Sequence, residues 1–235
     1  MRALYLDDSY LKEFESVVKE VNQDKFVVLE NTAFYPNGGG QPYDTGKIIS
    51  ENGKEYKVVF VGKFSGQISH EVDKPGLKVG DRIKGIIDWE RRYRLMRMHT
   101  ASHIIANVFH NDAGAKITGN QLGIEKSRVD FSLERFDREL INNYIKKANE
   151  IIKRNLEVSV EFVPREEAEK DPSLFKLAMS FPHDFKELRI VSIGDVDRQC
   201  DGGTHVKNTS EIGTVELVKL ENKGKNNRRV YFTLS

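Results

Sequence analysis

Two pairs of residues in this 235-residue chain have the types and spacing of metal ligands. The first is His99-Thr-Ala-Ser-His103. On a helix, a step of four puts both imidazoles on one face, one turn apart, where they can share an ion. The second is Cys200-Asp-Gly-Gly-Thr-His205, in which the chain's single cysteine stands five positions before a histidine. The glycine pair between them lets the backbone bend both side chains inward. Three imidazoles and a thiolate suit borderline-soft zinc better than magnesium or calcium, which prefer oxygen. The expected ligands are therefore His99, His103, Cys200 and His205, holding one zinc ion per chain. The plainer alternatives are a surface or core histidine pair and a buried cysteine beside a turn histidine. No glutamate follows His99, so this is not the H-E-x-x-H of zinc proteases. A general base must come from elsewhere in the chain, from metal-bound water or from the substrate.

The first pair needs a helix, and the sequence supplies one. Within residues 90–109, Leu95, Met98, Ala101, Ser102, Ile105 and Val108 recur at steps of three and four. A second helix is predicted over about 137–156, with Asp137 as N-cap and a stripe made by Leu140, Ile141, Tyr144, Ile145, Ala148, Ile151 and Ile152. A third is predicted from Pro164, followed by Glu166 and Glu167. Strands fit residues 157–163, 188–193, 213–220 and 229–233. Residues 1–88 read as mostly β, with runs at 25–29, 55–61 and 81–87 separated by turn signals at 36–40, 51–53 and 74–76. That spacing favours a small barrel or sandwich. Residues 9–20 fit either a short helix or a helix leading into a strand. The expectation is an α+β chain of two domains, 1–88 and 89–235, the second a sheet with helices on one face.

Composition narrows the class further. With 38% hydrophobic residues and a net charge of +1, the chain is neither collagen-like, nor wholly disordered, nor polybasic. A local basic patch can still bind phosphates in a neutral chain. No apolar run approaches the ~20 residues needed to cross a bilayer, and the acidic N-terminus lacks the apolar core of a signal peptide. The expected location is the cytoplasm, without a membrane partner.

The helix motif, preceded by Arg94-Leu-Met-Arg-Met98, is similar to the H-T-A-x-H helix of the alanyl-tRNA synthetase editing domain. Residues 200–213 resemble that domain's second zinc motif, and Phe34-Tyr-Pro-Asn-Gly-Gly-Gly-Gln-Pro42 resembles the glycine-rich motif of medium-length AlaX proteins. Over nearly its whole length the chain thus resembles the AlaX family of freestanding alanyl-tRNA editing proteins. Threonyl-tRNA synthetase editing domains share the zinc logic, but Gly-Gly-Thr-His and the glycine-rich motif point to alanine. The resemblance implies a translation-factor-like β-barrel over 1–88, then a zinc-containing editing domain over 89–235. It also implies hydrolysis of the ester joining serine, or glycine, to alanine tRNA. One departure stands out: the family has three residues between cysteine and histidine, and here Asp201 makes four. The glycines can absorb the extra residue; alternatively, Asp201 competes as a ligand or hydrogen-bonds the metal's water.

By the same resemblance, Gly38, Gly39 and Gly40 reach the aminoacylated adenosine, and Thr118 recognises the serine hydroxyl. The plain readings are a hairpin loop and a threonine opening a turn before Gly119. For tRNA phosphates the sequence offers Arg91, Arg92, Arg94 and Arg97 beside the first histidine, and Lys223, Lys225, Arg228 and Arg229 near the C-terminus. In a chain with 31% charged residues, such clusters are equally often solvated surface. Zinc would either activate water and polarise the ester, or be saturated by four ligands and only shape the pocket. Rival functions are a zinc-dependent hydrolase of small esters or amides and a non-catalytic RNA-binding module with structural zinc. The expected partner is mischarged alanine tRNA, met by a monomer.

Overall fold

Burial with a period of two runs through the first third of the chain. The computed structural model describes residues 2–175, 186–224 and 227–235. Its first strands are β1 (Arg2–Ala3), β2 (Glu13–Asn22), β3 (Phe26–Leu29), β4 (Asn31–Thr32), β5 (Gly46–Ser50), β6 (Glu55–Phe64), β7 (Gln67–Val72) and β8 (Arg82–Ile87). Strand β2 buries Phe14, Ser16 and Val18 in alternation, and β8 buries Ile83, Gly85 and Ile87. Residues 9–20 therefore lead into a strand without the helix the sequence allowed. Antiparallel neighbours run in the order β2-β3-β7-β6-β5-β8, and β8 pairs back to β2, closing the ring. Closure leaves those six strands without an open edge. Inside it Phe14 meets Phe34 edge-on at 5.6 Å among Ile48, Tyr56, Val61 and Ile83. A Cβ on Gly85 would fall 2.3 Å from the Phe14 ring, so only glycine fits there. His70 is buried in this core; its Nδ1–H donates to the Val27 carbonyl (2.9 Å) and its Nε2 accepts from the Thr32 hydroxyl (2.8 Å). Burial lowers its pKa to about 4, so the ring is neutral.

The rest of the chain comprises α1 (Trp89–Ala113), β9 (Ile117–Gln121), β10 (Ser127–Phe131), α2 (Arg138–Ile152), β11 (Val158–Pro164), α3 (Arg165–Ala168), β12 (Glu187–Ile193), β13 (Asp197–Cys200), β14 (Val215–Asn222) and β15 (Arg228–Leu234). The architecture is mixed α+β, as expected. Internal contacts divide it into Met1–Leu95 and Met96–Ser235, a division that falls inside α1. The second unit carries two antiparallel sheets, β14-β15-β10-β9 and β11-β12-β13.

Helix α2 follows its pattern closely. The Asp137 carboxylate accepts from the Leu140 N–H at 2.8 Å, capping the helix, and Ile141, Tyr144, Ile145, Ala148 and Ile152 form the buried stripe. Asn149 clamps it to β14, donating to and accepting from the Val215 backbone at 2.9 and 2.8 Å. Helix α1 is different. Every residue from Met98 to Phe109 is buried, among them His99, Thr100, Ser102, His103 and Asn107. Buried polar groups at this density must be hydrogen-bonded or hold a ligand. The third expected helix shrinks to the single turn α3, with Pro164 as its N-cap.

Candidate metal centre

His99 and His103 lie one turn apart on the buried stretch of α1, their ring centroids 5.0 Å apart. His205 comes from the loop after β13 and brings its ring within 4.3 Å of His99 and 4.7 Å of His103. The fourth member is Asp201. Its Oδ1 lies 3.0 Å from His205 Nε2, and its Oδ2 lies 3.6 and 3.8 Å from the Nε2 atoms of His99 and His103. One ligand atom from each of the four falls within 4.8 Å of all the others. A tetrahedral zinc at about 2.0–2.1 Å from each ligand needs them roughly 3.4 Å apart, a spacing the three Asp201 distances bracket. Three imidazoles and one carboxylate also suit zinc chemically, whereas calcium and magnesium favour all-oxygen sites.

Neighbouring groups hold the ligands in place. The Thr100 hydroxyl donates to the Met96 carbonyl (3.1 Å), so it accepts the His205 Nδ1–H (3.1 Å) and places the ring's lone pair on Nε2, the nitrogen 3.0 Å from Asp201 Oδ1. The Gly203 N–H donates to Asp201 Oδ1 (2.6 Å), and buried Arg189 donates to the Asp201 carbonyl (2.8 Å). Asp197 Oδ2 lies 3.0 Å from His103 Nδ1. Burial holds His99 well below its ordinary pKa, and burial with the nearby His103 and Arg189 brings His205 down to about 4. His103 goes the other way: burial would lower it, but hydrogen bonds to Asp197 and Asp201 push it up to about 9. Asp201, despite its burial, is kept well below the carboxylate range by the imidazoles of His99, His103 and His205 around it. Without metal the cluster is thus a carboxylate, two neutral imidazoles and one imidazolium.

Cys200 lies apart from this cluster, which corrects the expected ligand set. Side chains alternate along a strand, so Asp197 and Gln199 of β13 face His103 while Arg198 and Cys200 face the other way. Cys200 packs into an apolar cluster with Ala168, Leu174, Leu188 and Ile190. Burial raises its thiol pKa, which disfavours the thiolate a metal needs. Asp201, one residue on, restores the three-residue gap to His205. Sequence reasoning gave Asp201 only as a competitor and missed Thr100, Asp197, Gln199 and Arg189. The Asp197-x-Gln199-x-Asp201 alternation was the available signal.

A family described as threonyl and alanyl tRNA synthetase second additional domain matches residues 188–231, and one described as class II (A) tRNA synthetases matches residues 6–91. The chain is 57% identical to the alanyl-tRNA editing protein AlaX-M of Methanosarcina barkeri, covering 99% of this chain and 98% of that protein. It is 48% identical to the AlaX-M of Saccharolobus solfataricus, over 98% of each. The chain belongs to the AlaX-M family. It is also 39% identical to the alanine–tRNA ligase of Pyrococcus abyssi, spanning 94% of this chain but 24% of the ligase.

Within this AlaX-M chain, the other expected site residues have varied placements. Gly38 and Gln41 exchange backbone hydrogen bonds at 3.1 and 2.9 Å around Gly39 and Gly40, whose positive φ angles of 59° and 83° mark a type I′ hairpin. Thr118 is exposed and is the extra residue that β9 inserts between the Ile117–Phe131 and Gly119–Asp130 pairs, a β-bulge. Its neighbour Ile117 lines a cavity of about 390 Å³ whose wall also includes Asp197 and Gln199.

Of the basic residues, Arg92 is fully buried and ion-paired with Asp44, so it cannot reach a phosphate; that expectation is corrected. Arg91 is half-buried and donates to the Tyr43 carbonyl (3.0 Å), and Arg94 is half-buried. Arg97 donates to the Ile212 carbonyl through Nε at 3.0 Å and Nη2 at 2.6 Å. Arg229 grips Asp130 across the β10–β15 pair at 2.8 and 2.9 Å, and Arg228 bonds Leu133, Asn222 and Gly224. Exposed Lys223 pairs with Glu221 at 2.9 Å, and Lys225 lies outside the described residues. Among the described residues, no helix is long and apolar enough to cross a membrane.

Proposed function

We propose that this chain is a trans-acting deacylase that hydrolyses the ester between a wrong amino acid and alanine tRNA, with serine as the main cargo and glycine as a second. The observation that carries the reading is the buried His99–His103–Asp201–His205 cluster, held at metal-binding spacing in a chain related end to end to alanyl-tRNA editing proteins. The substrate follows from a limit on recognition. A pocket built for alanine discriminates only about a hundredfold against a side chain that merely adds a hydroxyl, so a second site must remove the error.

Zinc is the metal proposed, bound by the three histidines and Asp201; when bound it polarises the ester carbonyl or lowers the pKa of a coordinated water towards ~7. The protein's own groups prepare the site. Thr100 and Asp197 hold two imidazoles by their Nδ1 atoms, Gly203 and Arg189 hold the Asp201 loop, and burial keeps bulk water from the cluster. The glycine-rich hairpin is proposed to meet the aminoacylated end of the tRNA, and Thr118 to accept or donate a hydrogen bond to the serine hydroxyl. Arg91, Arg94, Lys223 and Arg228 remain the proposed phosphate contacts.

The deciding experiment measures deacylation of Ser-, Gly- and Ala-charged alanine tRNA with and without a zinc chelator. Ser-tRNA should be cleaved fastest, Ala-tRNA spared, and the chelator should abolish turnover. Equal rates on free seryl esters would turn the reading to a small-ester hydrolase, and tight tRNA binding without turnover to an RNA-binding module. Thr118→Val should cut the serine-over-alanine preference by up to about tenfold, the worth of one hydrogen bond; an unchanged preference removes Thr118 from recognition. Gly39→Val forces a branched side chain into φ +59°, at a strain of about 1–2 kcal/mol. It should slow deacylation and leave metal content unchanged, and a full rate would detach the hairpin from the substrate.

A further inference from the structure

One face of β13 does more than support the cluster. Asp197 and Gln199, each 4% exposed, are polar side chains buried next to His103. The Gln199 amide donates to Asp197 Oδ2 at 2.8 Å, and the same oxygen lies 3.0 Å from His103 Nδ1. The Gln199 amide nitrogen also lies 2.8 Å from His103 Nδ1, so the three groups form a closed triangle in which the carboxylate, which can only accept, draws the imidazole proton onto Nδ1. His103 Nε2 faces Asp201, 3.8 Å from its Oδ2, and is the nitrogen that a metal would take on release of its proton. A four-residue strand this polar has little reason of its own to be buried; the hydrogen-bonded chain from Gln199 through Asp197 to His103 supplies one.

We propose that Asp197, anchored by Gln199, is the positioning residue that orients His103 Nε2 toward the metal. The inference rests on the reading of the cluster as a metal site and adds to it the part that sets affinity. Outer carboxylates on a metal-bound imidazole fix its tautomer and ring orientation and raise its strength as a ligand, and losing one weakens binding about 10–100-fold. On the opposite face of β13, exposed Arg198 pairs with Glu161 and buried Cys200 packs against Leu188 and Ile190, so the effect belongs to one face of the strand.

The test uses the full chain stripped of metal. Zinc affinity is measured by competition with a chromophoric chelator, and site geometry by the visible spectrum of the cobalt(II) form. Asp197→Ala should bind zinc about 10–100-fold more weakly and shift the cobalt bands. Asp197→Asn, whose amide oxygen still accepts the Nδ1–H, should fall between that variant and the parent. Should Asp197→Ala fail to fold, Gln199→Ala, which keeps the carboxylate but frees it, should show a smaller loss in the same direction. A purely structural role would lower the melting temperature while leaving zinc affinity and cobalt bands alone, and that result overturns the proposal. A parent protein that takes up no zinc would remove the metal reading itself, whereas a parent and an Asp197→Ala variant that bind equally would remove only Asp197.

Discussion

Asp201→Ala should strip the protein of its metal, with affinity falling by more than about a hundredfold, beyond the loss expected for an outer contact. Cys200→Ala should retain one ion per chain. The contrast follows from the phase of a single strand. Asp201 puts its two oxygens 3.0–3.8 Å from three imidazole nitrogens, while Cys200 faces Leu188 and Ile190. Removing the sulfur leaves a small void in an apolar cluster, so that variant should lose roughly 1 kcal/mol of stability and no metal. Asp201→Cys provides the converse test: a thiolate separated by three residues from His205 should still bind, and its cobalt form should gain a sulfur-to-metal charge-transfer band. Proton release gives an independent readout. His103 is held up to about 9 without metal, so zinc uptake near neutral pH should expel about one proton, and affinity should climb with pH until that proton is gone. Metal analysis of the purified variants decides the matter; loss of zinc from Cys200→Ala with its retention in Asp201→Ala would reverse the assignment.

Why the sequence led to Cys200 is instructive. The helical period around His99, the Asp137 cap and the stripe of α2 are local patterns, and local patterns survive into the structure. The choice between adjacent residues 200 and 201 is different in kind. It depends on which face of β13 meets α1, and a one-residue change of phase exchanges every side chain between faces. Strand β13 gives no warning of itself: Asp-Arg-Gln-Cys lacks the branched and aromatic residues of a strand and exists because β12 pairs with it. Strand β9, built from Ile-Thr-Gly-Asn-Gln, is hidden for the same reason and is made by its pairing with β10. Residues 9–20 read ambiguously because Leu11, Phe14, Val17 and Val18 satisfy a helical step as well as Phe14, Ser16 and Val18 satisfy a strand. The arginine cluster failed for one member because charge says nothing of burial until a partner is found 48 positions away.

That member supports the largest stability effect expected of any substitution in the first unit. Arg92→Met should destabilise the Met1–Leu95 unit by about 3–5 kcal/mol. Both side chains of the Arg92–Asp44 pair have no exposed surface. Arg92 Nε bonds Asp44 Oδ1 at 3.0 Å, Nη1 donates to the Ser9 carbonyl at 2.9 Å and Nη2 to the Ala33 carbonyl at 2.5 Å. Asp44 Oδ2 also accepts the Tyr35 N–H at 2.6 Å, which ties the strap that carries the glycine-rich hairpin into the same network. Removing the guanidinium abandons a carboxylate in an apolar interior and takes a charged donor from the Ser9 and Ala33 carbonyls, which is why the loss exceeds what an exposed ion pair can give. Replacing both partners, as in Arg92→Met with Asp44→Leu, should recover part of the loss, since no uncompensated charge then remains buried. The chain's single tryptophan reports on this unit directly: Trp89 stacks on Tyr93 at 5.4 Å and lies 4.5 Å beneath the Lys12 ammonium, so its fluorescence follows urea unfolding there. An Arg92→Met variant that unfolds at the parent's urea midpoint yet binds tRNA more weakly would return Arg92 to the phosphate contacts and refute the structural role given to it here.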